Sequence, residues 1–126
     1  MAYIAHTGER LNAVQLSRIT GYSRNHIAKV LSVLVKARML TSGRGPNGGF
    51  DLARPAEEIS LLEIYEAVEG KVENDQCDEP CELCSVAGCI TGGLGARFNE
   101  EFLAYLRNKK LSDYQTDHKR ISPITY

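Results

Sequence analysis

The amino-acid sequence predicts a mainly α fold with one small β-hairpin and a long final helix. A chain of 126 residues, 43% apolar and 25% charged, makes one such domain and not two. Three observations carry this prediction. Ile27, Val30, Leu31, Leu34 and Val35 fall at i, i+3, i+4, i+7 and i+8, the one-sided stripe of a helix packed on a core. Two short strand-like runs flank Gly43-Arg-Gly-Pro-Asn-Gly48, whose Gly, Pro and Asn supply turn dihedrals. Phe98, Phe102, Tyr105 and Leu106 then recur at helical spacing near the end of the chain.

Taken in order, Val14 to Thr20 is a short helical pattern with Val14, Leu16 and Ile19 apolar, and it closes at Gly21, which suits a tight turn. Ser23 caps the next helix, whose opposite face holds Arg24, Asn25, Lys29, Ser32 and Lys36. Met39 to Ser42 and Gly49 to Ala53 are the hairpin strands, ended by Pro55. Ser60-Leu-Leu-Glu63 has the form of a capping box opening a helix to Glu69, with Gly70 as an αL stop and Leu61, Ile64, Tyr65 and Val68 toward the core. Residues 71–93 are acidic, Gly-rich and aperiodic and read as a loop. A final amphipathic helix runs from Leu94 to about Asn108, and the polar tail from Ser112 is expected to be poorly ordered.

The formal net charge of −1 argues superficially against nucleic acid, but the charges are segregated. Residues 1–50 hold seven Lys/Arg against Glu9 alone, a local +6, whereas residues 51–93 hold eleven acids against Arg54 and Lys71, a local −9. No apolar run approaches the roughly 18 residues of a membrane span and no secretory signal is visible, so a cytoplasmic protein with no membrane partner is expected.

Helix, Gly turn, helix and basic hairpin in that order make a winged helix-turn-helix. Such a unit leaves the first turn of its second helix free to enter the major groove of double-stranded DNA. Here that turn is Ser23-Arg24-Asn25-His26: Arg suits guanine, Asn suits adenine, and Ser reaches base or phosphate. Lys29, Arg18 and Lys36 are placed for phosphates, and Arg44, with Asn47 beside it, stands at a hairpin tip that fits a narrow minor groove. Taken singly, Arg24, Lys29 and Lys36 read as a solvated helix face. Their combination with a Gly-flanked Arg wing favours DNA.

Cys77, Cys81, Cys84 and Cys89 lie within thirteen residues, with none elsewhere. Thiolates select zinc or iron–sulfur clusters over hard cations, and only Cys81 and Cys84 have the spacing of a zinc-ribbon pair. Zinc and cluster-free redox thiols stay open as alternatives to a cluster. So does an iron–sulfur carrier or interaction module without specific DNA binding. No enzyme is expected, since there is neither a nucleophile elbow nor a phosphate-binding loop.

The runs Tyr22-Ser-Arg-Asn-His-Ile-Ala-Lys-Val-Leu31, Gly43-Arg-Gly-Pro-Asn-Gly-Gly49, Leu52-Ala-Arg-Pro55 and Ile59 to Gly70 resemble the Rrf-two family of bacterial transcription regulators, of IscR/NsrR type. The resemblance covers residues 4–113. It implies a homodimer on a pseudo-palindromic operator, with Leu94, Phe98, Phe102, Tyr105 and Leu106 along the dimer seam; the same stripe in a monomer would cover its own domain. It further implies an iron–sulfur cluster, 2Fe–2S or 4Fe–4S, in the cysteine loop and a repressor sensing redox, nitric oxide or iron–sulfur status. Cys77 matches the first family ligand and Cys89 the last, with Cys81 and Cys84 both open for the middle one. Family members begin with a further helix, of which Ala2-Tyr-Ile-Ala-His6 matches only the end. Either the chain start is placed too late, or the fourth cysteine of a short variant replaces a ligand that helix would supply. The expected organisation is a DNA-binding domain over 1–70, a cysteine loop over 71–93, a dimerisation helix over 94–111 and a flexible tail over 112–126.

Overall fold

A computed structural model describes residues 1–72 and 92–114. Along them run α1 (Ala2–Thr7), α2 (Ala13–Thr20), α3 (Arg24–Lys36), β1 (Leu40–Gly43), β2 (Gly49–Leu52), α4 (Leu61–Glu69) and α5 (Leu94–Asn108), with single 3₁₀ turns at Ala56–Glu58 and Leu111–Tyr114. The fold is winged helix-turn-helix, mainly α with a two-stranded antiparallel hairpin. Among the described residues no helix is long and apolar enough to cross a membrane.

Capping chemistry fixes where the helices begin. Asn12 accepts the Gln15 N–H at 2.9 Å while the Gln15 side chain accepts the Asn12 N–H at 2.9 Å, satisfying two otherwise orphaned donors at the start of α2. Ser23 Oγ accepts the His26 N–H at 3.2 Å to open α3. Ser60 and Glu63 form the expected reciprocal box at α4. The end of α3 is less ordinary, because Arg38 takes φ 59°, the left-handed region that favours glycine. Met39 N–H reaches back to Leu34 O and Arg38 N–H to Val35 O, both at 3.0 Å, so the turn satisfies two terminal carbonyls with an arginine in the glycine position.

The inner face of α3 supplies the core. Leu31 and Leu34 are buried with Leu16 of α2, Leu40 of β1, Ile59 and Leu111, while Ile27, Val30 and Val35 pack partly buried around them. Chain order brings the far end back onto this core. Lys109 O accepts the Leu61 N–H at 2.9 Å and Leu111 N–H donates to Ile59 O at 2.8 Å, a short antiparallel clasp between the entry to α4 and the exit from α5. Leu111 is 1% exposed.

Several expectations need correction. Residues 112–114 are not the start of a loose tail, because the Lys110 N–H donates to the Asp113 carboxylate at 2.8 Å and the chain closes a turn under Leu111. Gly70 does end α4 with positive φ, but its φ 93° and ψ 170° lie outside the αL region. No residue of α4 is fully buried, and Val68 is exposed together with Glu69 and Gly70, where the helix runs out. The cysteine loop, apart from its ends, and the tail beyond 114 lie outside the described residues.

Candidate nucleic-acid interface

The turn between α2 and α3 is held by side chains of α2. Gly21 takes φ 76° and ψ 0°. Ser17 Oγ donates to Tyr22 O at 2.6 Å, and Thr20 Oγ1 donates to Leu16 O at 2.8 Å. The Ser17 bond ties the turn at Tyr22 to α2, so the first turn of α3 follows a packed helix rather than a loose loop.

Every residue of that first turn is exposed: Ser23, Arg24, Asn25 and His26, with Lys29 one turn on and Lys36 at the far end of α3. Ser23 uses an oxygen lone pair for the cap and keeps its own O–H to donate. Arg24 and Asn25 offer bidentate donor and acceptor sets on a helix N-terminus whose dipole favours anions. Arg18 on α2 is exposed as well. Tyr22, not singled out by its sequence context, is 62% exposed and lies against His26 with ring centroids 5.6 Å apart.

The wing is β1 and β2, paired Leu40↔Leu52, Thr41↔Asp51, Ser42↔Phe50 and Gly43↔Gly49, and its tip presents exposed Arg44 and Asn47. The tip glycines are needed for close approach. A Cβ on Gly48 would lie 2.8 Å from Gly45 O, and one on Gly49 would lie 2.9 Å from Leu11 O. The second contact arises because Leu11 pairs with β2 as a third edge, with Phe50 N–H donating to Leu11 O at 2.9 Å. Arg10, marked in the sequence only as one of the basic residues of 1–50, crosses the same face and pairs with Asp51 at 2.6 Å.

The face of α5 differs in kind. Leu94, Phe98 and Tyr105 are 64%, 69% and 53% exposed, whereas Leu103 and Leu106 are buried. Leu106 is therefore taken up by its own chain, since it lies on the side of α5 that faces the core, and Leu103 joins it there. Phe102 lies between the two groups: its ring meets Tyr65 of α4 edge-on at 5.3 Å and carries Phe98 stacked at 6.1 Å on the outside.

Behind the wing, Glu63 gathers the charge. Partial burial pushes its carboxyl up, but the Ser60 N–H, the Arg54 guanidinium and the Ser60 hydroxyl outweigh this and hold it below the ordinary glutamate value. Arg54 Nη2 lies 2.8 Å away. Among the described residues no group of His, Cys, Asp or Glu has the form of a metal site. Cys77, Cys81, Cys84 and Cys89 lie outside them.

With this geometry in hand, the chain matches the profile of the Rrf2 family, described as iron-dependent transcriptional regulators, over residues 1–117. It is 33% identical over 106 residues to the protein aau3 of Rhizobium meliloti, covering 78% of this chain and 69% of that protein. It is 28% identical over 111 residues to the transcriptional regulator IscR of Vibrio parahaemolyticus, covering 86% and 66%. Among solved structures it is similar to CymR, the global cysteine regulator of B. subtilis, with TM-score 0.68 at 22% identity over 92% of this chain and 88% of that one. It is similar also to T. potens IscR, with TM-score 0.66 at 21% identity over 89% and 74%. The chain thus belongs to the Rrf2 family of winged helix-turn-helix, DNA-binding transcriptional regulators, and not to a family of enzymes.

Proposed function

We propose that this regulator reads a pseudo-palindromic operator as a homodimer, with Arg24, Asn25 and His26 at base edges, Ser23, Arg18, Lys29 and Lys36 on phosphates, and Arg44 and Asn47 of the wing at the minor groove. The single observation that supports this most is the first turn of α3, exposed throughout, carrying base-reading side chains and held in place by α2. The apolar outer face of α5, Leu94, Phe98 and Tyr105 with Phe102 behind, supports pairing of two copies along that helix. A selection of duplexes from a randomised library by the full chain tests the reading. Arg24→Ala should lose about ten- to hundredfold on the selected duplex and relax its preference at one base pair, while Lys29→Ala weakens all duplexes alike. Failure to enrich any duplex, or equal loss on all sequences for Arg24→Ala, would overturn it.

Cys77, Cys81, Cys84 and Cys89 are, in this proposal, thiolate ligands of an iron–sulfur cluster, for which their donor chemistry is suited. Bound there, a cluster supplies a centre reactive toward oxidants and nitric oxide. The segment that carries these cysteines joins α4 to α5, so its state bears on how α5 sets the spacing of two recognition helices, and operator affinity follows. Anaerobic purification with iron, sulfide and zinc analysis checks the ligand set. Iron with matching sulfide, lost in Cys89→Ala together with the change in DNA affinity, is the expected result; zinc or no metal would sink the sensing role and leave DNA binding untouched.

A further inference from the structure

The hairpin is short, and two strands of four residues are marginal by themselves in water. What holds its outer end lies before α2 in sequence. Leu11 exchanges backbone hydrogen bonds with Phe50 at 2.9 and 3.4 Å, so the wing is locally three-stranded near its tip. Next to Leu11, the Arg10 side chain runs across the last ladder pair, Gly43↔Gly49. A Cβ on Gly49 would lie 2.8 Å from Arg10 Cγ, and one on Gly43 would lie 2.5 Å from an Arg10 guanidinium nitrogen. Neither glycine has positive φ. At Gly49 the missing side chain makes room for the Leu11 backbone as well as for Arg10 Cγ, whereas at Gly43 the neighbour is the movable guanidinium end of Arg10. At the end of its path Arg10 Nε bonds the Asp51 carboxylate at 2.6 Å.

We propose that Arg10, laid across the Gly43–Gly49 pair and bonded to Asp51, is a positioning residue that sets how the wing presents Arg44 and does not itself touch DNA. The proposal rests on the DNA-binding reading above. Its physical basis is directional. A surface ion pair adds little stability, but this one joins residues 41 positions apart and ties the hairpin a second time beside the Leu11–Phe50 bridge. It also answers why an acid stands on a wing strand of a DNA-binding domain: Asp51 is the anchor for Arg10, and its charge is met at 2.6 Å.

The alternative, a direct phosphate contact by Arg10, predicts the opposite sign for one variant. With a direct contact, Asp51→Ala frees the guanidinium and removes a negative charge, so binding tightens. With a positioning role, Asp51→Ala loosens the wing and binding weakens. The experiment uses the full chain and a duplex selected by the wild type, with Arg10→Ala, Asp51→Ala, Arg44→Ala and the Arg10→Ala/Arg44→Ala pair. Arg44→Ala is expected to lose roughly tenfold, and Arg10→Ala and Asp51→Ala most of that factor each. The pair should lose no more than Arg44→Ala alone, with the salt dependence unchanged by the second substitution. Unchanged or tighter binding by Asp51→Ala overturns the proposal, as does a double variant whose loss is the product of the two single factors. A wild type that selects no duplex overturns the DNA-binding reading and this one together, whereas failure in the variants alone overturns only this one.

Discussion

Helices α3 and α5 are both amphipathic and similar in length, 13 and 15 residues, yet they turn opposite kinds of surface to the outside. The apolar stripe of α3 meets apolar neighbours along its whole length, and what is left outside is Arg24, Asn25, Lys29, Ser32 and Lys36. The apolar residues of α5 divide: Leu103 and Leu106 are buried by their own chain, while Leu94, Phe98 and Tyr105 face out. Burial of an apolar stripe and its presentation look the same in periodicity, and only the residues packed against it separate them. An exposed basic face suits a polyanion, and an exposed aromatic one suits a second apolar surface.

Substitutions on the two helices can break that contrast. Leu34, 2% exposed, is the strongest test of the inner face of α3, and Leu34→Ala is expected to lower the unfolding free energy by about 3 kcal/mol in urea titration. A loss under about 1 kcal/mol would mean that this face is not the core. Arg38→Gly sharpens the picture at the end of α3: relieving a non-glycine αL residue should raise stability by about 0.5–1 kcal/mol, and a loss would show that the arginine side chain contributes more than its backbone costs. Phe98→Ser should do least to the isolated protomer, within about 0.5 kcal/mol at protein concentrations too low for assembly. On the proposed pairing along α5, the same variant should sediment as a monomer at concentrations where the wild type is expected to sediment as a dimer. A Phe98→Ser protein that unfolds like Leu34→Ala would erase the distinction between the helices.

Local chemistry was legible in the sequence and long-range chemistry was not. Ser23, Ser60 with Glu63, Gly21 and the Ile27 to Val35 stripe each act within one or two helical turns, so spacing alone located them. The turn of Gly43 to Gly48 was legible for the same reason. Arg10 and Asp51 were not, because nothing near either residue in sequence marks the other, and a glycine kept for close approach reads like a glycine kept for a turn. Arg38 escaped notice because an arginine at a helix C-terminus is ordinary by charge and unusual only by backbone angle. Leu103 and Leu106 show the limit of periodicity: it finds an apolar stripe on α5, but which side a chain covers with its own residues depends on the clasp at residues 109–111, formed with a segment some fifty positions earlier. Cys77, Cys81, Cys84 and Cys89 lie outside the described residues, and spacing alone leaves open which three or four of them would act together.

That clasp also has a mechanical meaning. Hydrogen bonds at Lys109 and Leu111 pin one end of α5 to the entry of α4, and the Phe102–Tyr65 contact with buried Leu103 holds the middle of the helix, so a swing about the pin has to shift those side chains as well. Leu94, at the other end of 15 residues, stands about 22 Å from the pivot at 1.5 Å per residue. A shift of about 2 Å at Leu94 then corresponds to a rotation of roughly 5° about the pin on that 22 Å arm. In the proposed sensing role, Leu94 is the end of the helix that a change in the cysteine-bearing segment, which precedes it closely in sequence, would reach first.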